Sequence, residues 1–375
     1  YTQNCNLVAI SCNENERTLT NAGLDGFDVV IIDEVSKATP LELLLPLMRA
    51  RKAILVGDHR QLPPLFQESQ DASATFEDMV NEEEDSQSQD TLLTKENFKR
   101  YEKMVTASLF KELFEKAPDI LRERLTVQFR MHPDIMKMIN YFYEGQLECC
   151  EKTEKEKDRR HHINLKSKYN DLVTEDKHLL WVDTSYDEKG MPALETDGST
   201  NPTEARLIAQ TLVHINEQMR QKGYNSKNQY KVGVVSFYQA QCRTIREAIR
   251  KVNQGQTRFD AIDVEVNTVI RYQGKEKPII LISLVRNDGK SKEHRRSSNA
   301  NVARFEFINV AMSRAQNLLM VFGARNMLEM RDIILPKMDS QGSEKKKIYQ
   351  DIFNRLDCMA QICSAKEFVQ ACENR

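Results

Sequence analysis

No stretch of this sequence reads as a membrane span, a zinc framework or a phosphate loop. No apolar run approaches the roughly 18 to 20 residues needed to cross a bilayer, and residues 1–12 lack the basic start and apolar centre of a secretory leader. Eight cysteines are present, but none form a CxxC pair, and none stand at ligand spacing from a histidine. Cys149 and Cys150 are adjacent and the others scattered, which is the pattern of free thiols in a reducing compartment. A cytoplasmic protein is therefore expected, or a nuclear one if the source is eukaryotic. His161 and His162 lie in a charged stretch and are expected at a solvated surface. There is no GxxxxGK[ST] string: Gly289-Lys290-Ser291 lacks the earlier glycine and follows the wrong strand. A net charge of −2 excludes a globally basic protein, so any nucleic acid would need a local basic groove. From Gln61 to Thr94 there is no lysine or arginine, while Glu82, Glu83, Glu84 and Asp85 form an acidic run.

Hydrophobic residues make up 40% of the chain, enough for packed cores. The length suits two ordinary domains. Short apolar runs at 7–10, 29–32, 53–56, 179–182, 232–237, 264–270, 279–284 and 318–322 have the character of buried parallel strands. Amphipathic helical stretches alternate with them, at 40–49, 202–219 and 239–251. Strand and helix in alternation predict an α/β fold with doubly wound parallel sheets. Helical spacing of Leu109, Leu113 and Phe114 within 108–124 could close the first domain, which places the boundary near Leu121. The domains are then 1–121, with an acidic insertion at about 67–94, and 122–375, with a charged and solvated insertion at about 151–177.

The strongest chemical signal in the first half is Asp28-Val-Val-Ile-Ile-Asp33-Glu34. A buried β-branched strand ending in two carboxylates delivers both to the carboxyl edge of a parallel sheet, where open α/β folds bind ligands. One acid can hold Mg²⁺ through its water shell, and the next can orient or deprotonate a water. Further on, Ala53-Ile-Leu-Val-Gly57-Asp58-His59-Arg60-Gln61-Leu62-Pro63-Pro64 repeats the arrangement, a strand running into Gly-Asp and a polar loop. Gln61 is a neutral donor and acceptor able to report a γ-phosphate.

These two segments resemble motifs II and III of superfamily 1 helicases. Leu125-Thr-Val-Gln-Phe-Arg130-Met-His-Pro is similar to the family's motif after the domain boundary. Tyr272-Gln273-Gly274-Lys275-Glu276-Lys277 resembles motif V, and Asn309-Val-Ala-Met-Ser-Arg314-Ala315 resembles motif VI. All occur in the family's order, from about Asn6 to Gly323. The nearest branch is the one with the nonsense-mediated-decay helicase and senataxin.

The resemblance implies two RecA-like domains, the first incomplete at its N-terminus. ATP is hydrolysed between them, and a single-stranded or duplex nucleic acid is translocated upon or unwound, 5′-to-3′. By motif position Asp33 serves Mg²⁺, Glu34 is the general base, Gln61 senses the γ-phosphate, and Arg130 and Arg314 are arginine fingers. Such a finger contributes roughly 10³ to 10⁵ in rate. Phe129 either stacks on the adenine or fills a core. Gly274 and Glu276 approach the nucleotide's ribose or phosphate side, while Lys275 and Lys277 form a solvated face. Ser11, Pro63, Ser236 and Thr268 match positions that touch the sugar-phosphate backbone or wall a base path, though a plain turn or cap serves each equally. RNA and DNA are not distinguished, because backbone contacts carry no base information.

Two departures stand out. The family's phosphate loop precedes motif II, so its absence is expected of a fragment that hydrolyses ATP poorly by itself. Motif V carries an acid ahead of its aromatic-Gln-Gly core in the family, whereas Ile270 and Arg271 precede Tyr272 here. That change bears on coupling to nucleic acid, not on the fold. A nucleic-acid-stimulated ATPase acting as a monomer is the first reading. A helicase-like scaffold that binds nucleic acid or protein without hydrolysis is the second.

Overall fold

The computed structural model describes residues 5–12, 16–24, 26–62, 109–149, 159–168, 170–289, 301–338 and 342–373. Pro63 and the acidic segment 67–94 lie outside the described residues. The chain divides into two compact units, Tyr1–Glu123 and Arg124–Arg375.

In the first unit, α1 (Glu16–Asn21) precedes β1 (Phe27–Ile32), α2 (Pro40–Met48) and β2 (Ala50–Leu55), and α3 (Leu109–Lys116) follows. The two strands pair in parallel, Ile32 opposite Leu55. Thr39 starts α2 with a reciprocal capping box: Glu42 N–H donates to Thr39 Oγ1 at 3.3 Å, and Thr39 N–H donates to Glu42 Oε2 at 2.7 Å. A small core joins Ile32, Val35, Leu43 and Phe110. Val29, Ile31 and Ile54 remain exposed, so these strands are not the fully buried ones expected from their apolar runs. Among the described residues, the core that α2 and α3 share with this sheet holds Ile32 but not Val29, Ile31 or Ile54. Residues 7–10 form no strand, and Leu7 and Ile10 are exposed.

The second unit opens with β3 (Val127–Gln128), α4 (Pro133–Ile139), β4 (Glu148–Cys149), β5 (Leu165–Lys166) and β6 (Asp171–Val173). Then come β7 (Leu179–Asp183), α5 (Pro202–Gln221), β8 (Tyr230–Ser236), α6 (Gln239–Val252), β9 (Ile262–Thr268), α7 (Val269–Tyr272) and β10 (Lys277–Ser283). The unit finishes with α8 (Phe305–Met312), β11 (Ala315–Gly323), α9 (Arg325–Leu328), β12 (Ile333–Pro336), β13 (Ser343–Lys346), α10 (Ile348–Cys358), β14 (Ile362–Ser364) and α11 (Ala365–Glu373). Six strands make one parallel sheet in the order β14-β7-β11-β10-β8-β9.

Alternation along these strands feeds two cores. Leu180, Val182, Val234, Leu281 and Met320 join α5, α6 and α11 on one face. Trp181, Ile280, Ile282 and Val321 are buried on the other, where Trp181 packs edge-on against Tyr349 and Phe353 of α10. A sheet covered on both faces explains why its strands read as near-continuous apolar runs. The class expected from the sequence, α/β with a doubly wound parallel sheet, is the observed one.

Two surface expectations are corrected. His161 is fully buried, and its ring Nδ1 accepts the Ile163 N–H at 3.1 Å. It meets His178 edge-on at 5.3 Å, and His178 stacks on His132 at 3.3 Å between ring centres. Burial holds the imidazoles of His132 and His161 down at about 4. His162 is half-buried and approaches Glu175 Oε1 at 3.2 Å. Residues 151–158 and 169 of the charged insertion lie outside the described residues; of the rest, Ile163, Leu165, Leu172 and Val173 are buried in the core, so this part is not wholly solvated. Its apolar residues alternate with charged ones, which masks a strand pair in a composition count. Of the seven described cysteines, Cys12, Cys149, Cys242, Cys358, Cys363 and Cys372 are free thiols. Among the described residues no helix is long and apolar enough to cross a membrane.

Candidate nucleotide and nucleic-acid site

In the first unit, parallel pairing brings the residues after β1 and β2 to one edge. Val56 N–H donates to Ile32 O at 2.8 Å, and Val35 N–H donates to Val56 O at 3.0 Å. Asp33 and Glu34 thus emerge beside Gly57 and Asp58, both acids exposed. Asp33 Oδ1 accepts the Glu34 N–H at 2.8 Å. Glu34 itself turns the chain in the left-handed region, φ 53° and ψ 31°, a strained state for a non-glycine residue. Its carboxylate lies 3.6 Å from the Lys37 ammonium.

The second loop is locked onto the first. Asp58 N–H donates to Ser36 Oγ at 3.1 Å, while the Asp58 carboxylate accepts from Arg60 N–H at 2.9 Å and from Gln61 Nε2 at 3.0 Å. Gln61 is therefore oriented by Asp58, and Arg60 is buried beneath them. Gly57 is dictated by space. A Cβ there would stand 2.9 Å from Val35 Cγ1 and 3.0 Å from the Ser36 nitrogen. Ser11 is exposed in a segment without regular structure.

In the second unit, Arg130 follows β3. Its Nε donates to Glu276 Oε2 and its Nη1 to Ser313 O at 3.4 Å. Phe129 is 66% exposed, which removes the core-aromatic alternative. Arg159 grips the Phe129 and Met131 carbonyls, and His132 N–H donates to Gln316 O at 2.8 Å. Arg314 is only 1% exposed. Its Nε donates to Val310 O at 3.0 Å, Nη2 to Ser313 Oγ at 2.7 Å and Nη1 to Lys275 O at 3.4 Å. It caps the C-terminal end of α8, where carbonyls lack helical partners.

Gly274 has φ 78° and follows Gln273 at φ −61°, ψ 137°, with Lys275 N–H donating to Tyr272 O at 3.0 Å. This is a type II turn, which asks for glycine at its third position. Lys275 is exposed, as a solvated face requires, while Lys277 is half-buried, and both pair with Glu265, at 2.5 and 3.2 Å. Ser236 and Thr268 are register partners at the carboxyl edge of the sheet. The Ser236 side chain, however, is buried and donates to Ser283 O at 3.1 Å. The hydroxyl expected to face a phosphate is spent inside the sheet edge. Thr268 is half-buried at the start of α7 and makes no capping bond.

So Arg130, Glu276 and Arg314 come together, Gly274 stands in the adjoining turn, and Ser236 and Thr268 share a strand edge. Sequence reading missed the groups that position them: Ser36, Ser313, Gln316, and the buried Glu204. Glu204 accepts from Ser283 Oγ at 2.6 Å, Val285 N–H at 2.9 Å and Thr184 Oγ1 at 3.0 Å, and burial raises its carboxyl to about 7. The string Asn201-Pro202-Thr203-Glu204 marks a helix start, but nothing in it tells that the glutamate serves strand ends instead of its own cap.

As ligands, the residues fit ATP with Mg²⁺ in a limited sense. Asp33 offers hard carboxylate oxygens at an exposed edge, and Mg²⁺ takes one or two carboxylates, the rest of its shell being water and phosphate. Among the described residues no group of three or more His, Cys, Asp or Glu could hold a metal unaided.

A family model described as AAA domain matches residues 105–326, and another of the same description matches residues 3–69. The chain is 30% identical over 321 residues to the DNA replication ATP-dependent helicase/nuclease DNA2 of Mus musculus, covering 81% of this chain and 25% of that protein. It is 30% identical over 323 residues to the dna2 protein of Schizosaccharomyces pombe, covering 82% of this chain and 19% of that one. The helicase/nuclease JHS1 of Arabidopsis thaliana is 28% identical over 306 residues, covering 80% of this chain and 19% of that protein. The chain thus spans between 19% and 25% of the length of these curated relatives.

Proposed function

Because the chain belongs to the superfamily 1 helicases, in the branch of the nonsense-mediated-decay helicase, senataxin and DNA2, we propose that it hydrolyses ATP to move along nucleic acid. Translocation or unwinding runs 5′-to-3′ on RNA or DNA, by an intracellular monomer. The observation that carries this reading is the parallel pairing that sets Asp33 and Glu34 beside the Asp58–Gln61 loop. Mg²⁺, when bound at Asp33, supplies charge neutralisation at the phosphates. Glu34 takes the proton of the attacking water, Gln61 orients that water against the γ-phosphate, and Phe129 stacks on the adenine. Arg130 and Arg314 offset the negative charge of the transition state. Ser11, Thr268 and the Ser236 backbone hold the sugar-phosphate strand, while Pro63 borders its path. Residues 1–375 alone hydrolyse ATP poorly, for want of a GxxxxGK[ST] cradle. The scaffold reading has one observation in its favour, the inward packing of Arg314.

The test is Glu34→Gln in the full-length protein, assayed with single-stranded RNA, single-stranded DNA and neither. Removing basicity while keeping size slows hydrolysis by roughly 10² to 10⁴ and preserves ATP binding. Hydrolysis near the wild-type rate would remove Glu34 from the chemistry.

A further inference from the structure

The resting partner of Arg130 is a carboxylate that the phosphate-contact reading does not require. Glu276 Oε2 accepts from Arg130 Nε, and Glu276 Oε1 accepts from Gln316 Nε2 at 2.7 Å. Arg130 Nη1 reaches Ser313 O, and the same serine's Oγ takes Arg314 Nη2. Lys275, next to Glu276, gives its carbonyl to Arg314 Nη1. Both arginines thus share one junction, built from residues 275–276 and 313. The Arg130 and Glu276 side chains are 34% and 42% exposed, so an anion from solvent can reach and compete for the guanidinium.

An anionic side chain beside a triphosphate is repulsive unless it faces hydroxyls or spends its charge on a cation. Here the charge is spent on Arg130. We propose that Glu276 is a positioning residue, a counterion latch that aims and neutralises Arg130 until nucleotide phosphate displaces it. Gln316 anchors the other carboxylate oxygen, so the latch stays in place when Arg130 leaves. The inference rests on the reading of Arg130 as a phosphate-contacting residue. It departs from the expectation that Glu276 touches the nucleotide itself.

A double-mutant cycle in the full-length protein tests it: Arg130→Ala, Glu276→Gln and the two combined. Affinity is read with the β,γ-imido analogue of ATP, and turnover with ATP. Glu276 is half-exposed and glutamine keeps its size, so the variant folds. Releasing a partly exposed pair tightens the analogue by about two- to fivefold. In the Arg130→Ala background the same Glu276→Gln change leaves affinity unmoved, an outcome that a merely structural role does not produce. Weakening by an equal factor in both backgrounds would overturn the latch and give Glu276 a direct nucleotide contact. No change in either background would overturn it as well. If Arg130→Ala alone alters neither affinity nor turnover, the parent reading of Arg130 fails and takes the latch with it.

Discussion

Arg314→Ala separates the packing role of this side chain from its chemistry. The guanidinium is 1% exposed and satisfies the Val310 carbonyl, the Ser313 hydroxyl and the Lys275 carbonyl. Truncation leaves those groups without their charged donor and opens a cavity. A buried group left unsatisfied costs about 1–3 kcal/mol, so a total of about 2–4 kcal/mol is expected once the cavity is included. For a unit of this size about 1 kcal/mol corresponds to about 2–4 °C, giving a melting point lower by about 5–15 °C. Turnover is then measured on the same full-length preparation, well below the lowered transition. A finger role costs at least about 10³ in rate there. Arg314→Lys recovers little of either, because an ammonium cannot reproduce the planar fork. An unchanged melting point would refute the buried-bond account. A lowered one with full turnover would leave Arg314 as a helix cap and nothing more.

Two further outcomes are expected. Gly57→Ala destabilises the first unit by about 1–3 kcal/mol in thermal melts, because the new Cβ meets a backbone nitrogen that cannot yield; a neutral result would refute the close approach. His132 and His161 have folded values near 4 against 6.5 when unfolded, so the unfolded chain binds more protons between those values. Stability is therefore full above about pH 6.5 and falls towards pH 4, by up to about 3 kcal/mol for His161, and His161→Asn reduces that slope. A melting point flat from pH 7 to 5 would contradict the burial argument.

The large sheet was legible because burial on both faces writes itself as apolar runs: residues 179–182, 232–237, 279–284 and 318–322 all lie on its strands, overrunning them by at most a residue. Residues 7–10 have similar composition and form no strand, since composition reports apolarity and not the partner that covers it. The placement of Asp33, Glu34 and Gln61 after their strands was legible, through apolar runs that stop at polar residues. Their mutual registration was not, because it depends on Ser36 Oγ, a side chain with no distinctive spacing. Arg314 shows the same limit. Its position in a motif string is readable, but whether a guanidinium faces solvent or the end of the helix it follows is decided by packing against Val310 one turn back and Lys275, far off in sequence.

The two serines that sequence reading overlooked do equivalent work in separate units. Ser36 accepts the Asp58 N–H and so ties one acid-bearing loop to the other. Ser313 gives its carbonyl to Arg130 and its hydroxyl to Arg314. A small hydroxyl carries no charge, so it can fix backbone and guanidinium positions without drawing on the carboxylates nearby. Asp33 and Glu34 stay exposed while the loop that carries them is held by backbone and serine bonds. Catalytic groups are disproportionately carried on loops held by a rigid scaffold, with neighbours that lock them in place. In the second unit the scaffold itself holds the charged groups, Arg130 on Glu276 and the Ser313 carbonyl, and Arg314 on the Val310 carbonyl and the Ser313 hydroxyl.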